Sequence, residues 1–287
     1  MTIISDLPWE LVEEILSRVS ITSLTPVGST CKQWRSLFKD ESFTHKHCGL
    51  VVWNPYLVQT RWIQPRNDYY LSDSYAIGYD NKNNHKILRL FYDNYPITRH
   101  EFEIYDFKSN SWRVLDIIPN FYYIFKRGVS LKGNTYFLAD KGEDFVICFD
   151  FTTEIFGSLL HLPFDFNGDV TLSCVREEQL AVLFGRCRGR YEVEIWITTK
   201  IESNALLWSK FFKVAIQPVC RSYFLSEFKA QSFFIDKEKK TALVSGKYLL
   251  SNNYRYEASI LVGEDGYLEE LDLRDVFSYV PSSVQIQ

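Results

Sequence analysis

The chain has 287 residues, 46% of them hydrophobic and 24% charged, with a formal net charge of −4 at pH 7. That apolar fraction is ample for a core, and the slight acidity leaves no electrostatic footprint for nucleic acid or an anionic membrane. The length allows one small module and one larger domain, and the 22 Phe, 18 Tyr and 7 Trp favour strands in the larger one.

The first forty-odd residues read as a small helical module. Pro8 fits the first turn of a helix, where a missing N–H is no loss, and Glu10 lies at the positive end of the dipole. Leu7, Leu11, Ile15, Leu16 and Val19 line one face at helical spacing. A second helical turn is expected near Thr22 or Ser23, both good N-caps. A third starts at Cys31, with Trp34, Leu37 and Phe38 on one side and Lys32, Arg35 and Lys39 on the other. Three short helices make a thin core, so this stretch is either a cap on the body or a handle for a partner.

From residue 50 the helical period disappears. Short runs of β-branched and aromatic residues alternate with turn clusters such as Asn54-Pro55, Asp80-Asn81, Gly133-Asn134, Asn167-Gly168, Glu177-Glu178, Asn252-Asn253 and Asp265-Gly266. The runs repeat. Phe102-Glu103-Ile104-Tyr105-Asp106-Phe107 returns as Val146-Ile147-Cys148-Phe149-Asp150-Phe151, and Val193-Glu194-Ile195-Trp196-Ile197-Thr198 follows. Each is followed by one strand-like run and preceded by a hairpin-like pair. A last unit runs through Ser232–Ile235, Ala242–Val244, Ala258–Val262 and Leu268–Leu271. Four units of four strands at a period of about 45 residues fit propeller blades. An irregular β-sandwich is the alternative. Leu50 to Pro55 with Thr60 to Pro65 looks like the back half of a further unit. Either Val276–Val280 or Val284–Ile286 is a candidate to pair with it, because half a blade leaves strand edges open.

Leu7-Pro8, Leu11, Glu14-Ile15-Leu16, Arg18, Ser23-Leu24, Cys31-Lys32, Trp34 and Leu37 together resemble an F-box, over residues 5–45. The resemblance implies docking onto the Skp adaptor of an SCF (Skp–Cullin–F-box) ubiquitin ligase, with Leu7, Pro8, Leu11, Ile15, Leu16, Leu24, Cys31 and Trp34 shared between the module's core and the adaptor surface. Ser20 stands where many F-boxes have Pro. Pro26 and Gly28 fall in the second helix, where interior Pro costs about 3 kcal/mol and Gly about 1 kcal/mol. Residues 50–287 resemble the F-box-associated domain of a large plant family, through Val52-Trp53-Asn54-Pro55, Thr60-Arg61-Trp62-Ile63, Phe102-Glu103-Ile104-Tyr105, Gly128 to Tyr136 and Glu194-Ile195-Trp196-Ile197. That family normally places several dozen residues between the F-box and the Trp-Asn-Pro strand, and here they are absent. The expected class is α+β multidomain: a three-helix F-box at 1–47 and a mainly antiparallel, propeller-like β domain at 50–287.

The motifs of common enzyme chemistry are missing. There is no G-x-S-x-G, H-E-x-x-H, Walker loop or G-x-G-x-x-G. His45, His47 and Cys48 lack a fourth ligand nearby and read as a linker rather than a zinc site. Glu177-Glu178 and Glu269-Glu270 read as solvated turns or strand ends, because adjacent strand residues point apart. Neither a metal nor a cofactor is expected, and no enzyme activity. The six cysteines show no C-x-x-C, no N-x-S/T sequon occurs, and acidic residues interrupt the N-terminus. These features lead to an intracellular protein, in cytoplasm or nucleus, with neither signal peptide nor membrane span.

The expected function is that of a non-catalytic substrate receptor, bridging a Skp-type adaptor, and through it a cullin, to a target protein. Candidate target contacts are the aromatic loop residues Tyr69, Tyr70, Tyr122 and Tyr123 and the basic cluster Arg186, Arg188 and Arg190, which suits an acidic peptide. A weakened, truncated relative is one alternative. A propeller-type enzyme or glycan-binding module is another.

Overall fold

A computed structural model of the chain describes residues 50–54, 56–64, 66, 73–92, 100–124, 128–141, 143–164, 168–187, 191–216, 225–250, 255–264 and 266–271. The chain divides into two compact units, one of Met1–Leu71 with Ser282–Gln287 and one of Ser72–Pro281.

In the first unit, β1 (Leu50–Asn54) and β2 (Gln59–Ile63) form a two-stranded antiparallel hairpin. Leu50 pairs with Ile63, Val52 with Arg61 and Asn54 with Gln59. Asn54 and Ile63 are buried, whereas Val51, Trp53, Thr60 and Trp62, on the opposite face, are exposed.

The second unit contains four sheets, each a meander in chain order. The first is β3 (Ser74–Tyr79), β4 (His85–Tyr92), β5 (His100–Asp106) and β6 (Ser111–Leu115). The second contains β7 (Tyr123–Ile124), β8 (Val129–Leu131), β9 (Asn134–Asp140), β10 (Asp144–Asp150) and β11 (Ile155–His161), with β7 and β8 both pairing β9. The third is β12 (Asp169–Val175), β13 (Gln179–Cys187), β14 (Tyr191–Ile201) and β15 (Leu206–Ile216). The fourth is β16 (Leu225–Asp236), β17 (Thr241–Leu250), β18 (Arg255–Gly263) and β19 (Gly266–Leu271).

The core lies between neighbouring sheets, and strand alternation explains how. On β9, Phe137 and Ala139 face the first sheet, joining Leu88, Leu90, Phe102 and Ile104. Tyr136 and Leu138 face the third sheet, joining Val170, Leu172 and Val182. On β13, Leu180, Val182 and Phe184 belong to that second cluster, while Ala181 and Leu183 join Phe228, Phe233, Val244 and Ile260 of the fourth sheet. A sheet covered on both faces needs apolar residues at successive positions, so its strands read as continuous rather than alternating runs. That accounts for Tyr136–Ala139 and Leu180–Phe184.

Polar groups join the first strands of adjacent sheets. The Thr171 hydroxyl donates to the carbonyl of Ala230 at 2.9 Å, and Ser173 to that of Phe233 at 2.7 Å. Ser130 donates to the carbonyl of Ile77 at 2.6 Å, and the Tyr79 N–H to that of Gly133 at 2.9 Å. The approach is close: a Cβ on Gly78 would lie 2.3 Å from the Gly133 carbonyl and from the Phe151 ring.

One turn recurs four times. In it a side-chain oxygen of Asn or Asp accepts the N–H groups two and three residues on, and the fourth residue takes a positive φ. Asn54 holds Tyr56 and Leu57 at 3.0 and 3.2 Å, with Val58 at φ 54°. Asp106 holds Lys108 and Ser109, with Asn110 at 55°. Asp150 holds Thr152 and Thr153, with Glu154 at 59°. Asp236 holds Glu238 and Lys239, with Lys240 at 51°. Asn is the residue best suited to that conformation among these, and β-branched Val the least. Val58→Asn is therefore expected to raise stability, by about 1 kcal/mol, in urea unfolding. A fall in midpoint would show that the Val58 side chain is needed where it stands.

The α+β class expected from the sequence is corrected to antiparallel β. The described residues are strands joined by turns and include no helix. The expectation drew its α component from residues 1–47, which lie outside the described residues. The sandwich alternative also fails, because two facing sheets cannot produce middle sheets buried on both sides. Each strand expected between Tyr75 and Leu271 is present, in four separate sheets. Tyr123, expected in a loop, forms the two-residue strand β7 with Ile124 against Asp140 and Ala139. A run that short has no period to read. Val276–Val280 and Val284–Ile286, expected partners for the first hairpin, lie outside the described residues, as do Pro55, Asn167, Asn252, Asn253 and Asp265 of four expected turns.

Candidate functional site

Antiparallel meanders place alternate connections at opposite ends of the strands, so the second unit has two rims. One carries the tight turns: β3–β4, β8–β9, β12–β13 and β16–β17, with β5–β6, β10–β11, β14–β15 and β18–β19. The other carries the opposite strand ends, with the described link 116–122 from the first sheet to the second.

The tight-turn rim is rigid for chemical reasons. Asp80 accepts hydrogen bonds from the Lys82 and Asn84 N–H groups at 2.8 and 3.0 Å and from the Asn84 side chain at 2.9 Å. Those bonds, with Lys86 nearby, hold its carboxyl far below the usual range despite partial burial. Lys86 is buried and donates both to the Phe151 carbonyl and to Glu154, each at 2.9 Å. Arg113 binds the other oxygen of Glu154. Burial raises the Glu154 pKa, but the hydrogen bonds from Arg113 and Lys86 outweigh it and lower the value. This clamp ties the first sheet to the β10–β11 turn. Between the third and fourth sheets, Arg176 pairs with Glu238, and Lys237 donates to Gln179.

The opposite rim carries the sequence-derived target candidates that are described. Tyr122 is 61% exposed, and its N–H donates to the Asp140 carbonyl at 2.7 Å. Ile118, in the same link, is 94% exposed. Tyr123 is part-buried, and a hydrogen bond to the Asp140 carboxylate, with some burial, raises the pKa of its hydroxyl. Arg186 lies near the end of β13, where the link 188–190 begins. Its guanidinium meets Glu192 at 2.7 Å and Glu194 at 3.9 Å. Lys213 meets both carboxylates and Lys210 meets Glu194, while Lys210 also sits 4.7 Å over the Trp196 ring. The Arg186 and Lys213 hydrogen bonds lower the Glu192 pKa. Glu194 is lowered as well, because Lys213 and Lys210 outweigh the opposing effect of burial. The structure thus brings Tyr122, Tyr123 and Arg186 to one rim, with the Arg186 charge engaged by its own strand neighbours.

Tyr69, Tyr70, Arg188 and Arg190 lie outside the described residues. So do all the adaptor-contact candidates, Leu7, Pro8, Leu11, Ile15, Leu16, Leu24, Cys31 and Trp34, and the His45, His47 and Cys48 cluster. Among the described residues no group of three or more His, Cys, Asp or Glu could hold a metal ion, and no helix is long and apolar enough to cross a membrane. The half-buried Cys148 thiol, beside Tyr136, is pushed up to about 11, chiefly by desolvation, and so stays protonated at neutral pH. Sequence reading missed Ile118, the Lys86–Glu154–Arg113 clamp and the repeated turn. The turn had a readable signal in the aligned Asp106 and Asp150; the clamp had none, because it joins residues 68 apart in sequence.

Residues 4–46 match the family model of the F-box domain, and residues 42–286 that of the F-box associated beta propeller domain. The F-box protein At5g42460 of Arabidopsis thaliana is 40% identical over 388 aligned positions, covering 100% of this chain and 99% of that protein. The F-box/kelch-repeat proteins At3g13680 and At3g16740, also of Arabidopsis thaliana, are each 38% identical and cover 100% of this chain, with 97% and 100% of their own lengths. Set against 287 residues, the 388 aligned positions leave roughly a hundred at which At5g42460 has residues that this chain lacks.

Proposed function

The chain belongs to the F-box proteins that carry an F-box associated β-propeller domain, and from that premise we propose that it is the substrate receptor of an SCF-type ubiquitin ligase. It is a non-catalytic adaptor. Residues 4–46 bind a Skp-type adaptor and through it a cullin, and the β domain holds the target. Ubiquitin transfer then follows from proximity, which raises the effective concentration of target lysines. The protein works inside the cell, in cytoplasm or nucleus, where that machinery resides.

The observation that carries this reading is the pairing of an F-box match with an associated-domain match in one chain, with relatives aligned along its whole length. The target rim is the one bearing Ile118, Tyr122 and Arg186. Exposed side chains on connections between rigid sheets suit recognition, whereas the turns of the other rim are consumed by their own hydrogen bonds. Arg186 contributes there through the mixed-charge cluster with Glu192, Glu194, Lys210 and Lys213.

Co-expression with a plant Skp adaptor and size-exclusion chromatography tests the docking role. A stable 1:1 complex is expected. Leu11→Asp with Ile15→Asp is expected to abolish it, because the two charges would be buried without partners. Co-elution undiminished in that double variant would overturn the adaptor assignment. A second reading is a weakened relative, favoured by Pro26, Gly28 and the missing aligned positions. It predicts a soluble, folded chain that does not co-elute with the adaptor.

A further inference from the structure

We infer that the link 116–122 and the neighbouring β9–β10 turn form one docking surface, and that the segment seated there is basic, with an apolar side chain between lysines or arginines. Given the substrate-receptor reading, on which this rests, that segment belongs to the target. The link is held from both sides. Ile117 packs against the core between the first and second sheets, and Phe121 and Ile124 belong to that core. The Phe121 ring meets that of Phe156 edge-on at 5.1 Å. The Tyr122 N–H donates to the Asp140 carbonyl, and the Lys141 ammonium to the side-chain oxygen of Asn120. With Ile117 and Phe121 packed inside, Ile118 and Tyr122 stand out, and Ile118 is the most exposed large apolar side chain among the described residues. An anchor fixed before binding loses little conformational entropy when a partner arrives.

Charge selects the occupant. Asp116, two residues before Ile118, is exposed, and so is Glu143 in the β9–β10 turn. Asp140 and Asp144 lie directly opposite each other in the β9–β10 register. Like charges so placed repel, and a cation beside them is favoured. Among the described residues of the link and the turn, Lys141 is the one cation against these four carboxylates. An acidic partner would be repelled there, and a wholly apolar one would desolvate carboxylates without compensation. A basic segment meets both demands, its apolar side chain on Ile118 and Tyr122 and its cations on the flanking carboxylates. The acidic-peptide expectation drawn from Arg186 is thereby reversed, because Arg186, Lys210 and Lys213 already meet Glu192 and Glu194.

Fluorescence anisotropy on the full chain tests this. The probes are a labelled peptide with one leucine between two pairs of lysines and its counterpart with glutamates for lysines. The lysine peptide is expected to bind at least about tenfold more tightly, with an affinity that falls as salt screens the charges. Ile118→Ser, and separately Asp116→Lys with Glu143→Lys, are each expected to weaken lysine-peptide binding by about tenfold or more. All three side chains are exposed, so the fold and co-elution with the Skp adaptor should be unchanged. Equal affinity for the two peptides would overturn the inference, and so would binding that neither set of substitutions alters. A wild-type chain that co-elutes with the adaptor but ignores the lysine peptide overturns the docking surface alone. Lysine-peptide binding without co-elution would instead overturn the receptor reading and leave the surface as a site for basic segments.

Discussion

Replacing Arg89 with Met is expected to destabilise the β domain by about 3–5 kcal/mol at neutral pH. Arg89 lies mid-strand on β4, and its side chain and those of Asp73 and Glu103 are each 1% exposed. Its guanidinium donates to Asp73 at 2.7 and 3.0 Å and to Glu103 at 3.1 Å, and it sits 4.9 Å from the Phe91 ring centroid. Burial opposes the charge on Arg89, yet the Asp73 hydrogen bond and the neighbouring negative groups outweigh it, so its pKa is raised. Met fills similar volume but leaves two carboxylates in a dry site without their cation. The readout is the urea midpoint of wild type and variant at neutral pH, at unchanged slope. A loss below about 1 kcal/mol would mean that the guanidinium is not what holds the two carboxylates there.

Phe149→Ala is expected to cost about 3–5 kcal/mol, for an entirely apolar reason. Phe149 is fully buried between the first and second sheets. Its ring centroid lies 5.0 Å from that of Phe151 and 5.1 Å from that of Phe156, both edge-on. Phe156 in turn meets Phe102 at 5.3 Å, Phe121 at 5.1 Å and Phe137 at 6.3 Å. Alanine removes the transfer energy of a whole ring and opens a cavity that a cluster of stiff rings cannot collapse into. Phe149→Leu keeps most of the volume and should lose less than half as much. The readout is the urea midpoint at unchanged slope, which separates stability from denatured-state effects. Equal losses for Ala and Leu would show that ring geometry, rather than volume, dominates here.

These two sites differ in how far they could be read in advance. Phe149 belongs to the repeat that begins at Val146, and an aromatic at an inward position of a strand is core almost by definition. Arg89 interrupts the apolar run Ile87-Leu88-Arg89-Leu90, and the chain gives no hint whether it faces water or two carboxylates. Its partners are 14 and 16 residues away, brought in by register. The target candidates divide in the same manner. Exposure of Tyr122 follows from its place in a link, while Tyr123, one residue on, is part-buried because it and Ile124 pair with Asp140 and Ala139 of β9. The Arg186 cluster was legible as positive charge. Its neutralisation by Glu192 and Glu194 was not, because cross-strand and diagonal neighbours appear only once β13 and β14 are paired.

What the sequence by itself determined is the local content of the chain: which segments form most of the strands, several of the turns between them, the repeat, and the two family signatures. Those depend on period, composition and turn chemistry, which act within a few residues. The tertiary structure alone decided which sheet each strand face meets, which charges are buried in pairs, and that the second unit is a set of separate meanders rather than a sandwich. It also decided that Trp53 and Trp62 stand exposed on one hairpin face. Burial is a property of what lies across a gap, set by contacts between residues tens of positions apart, and no local pattern in a single chain encodes it.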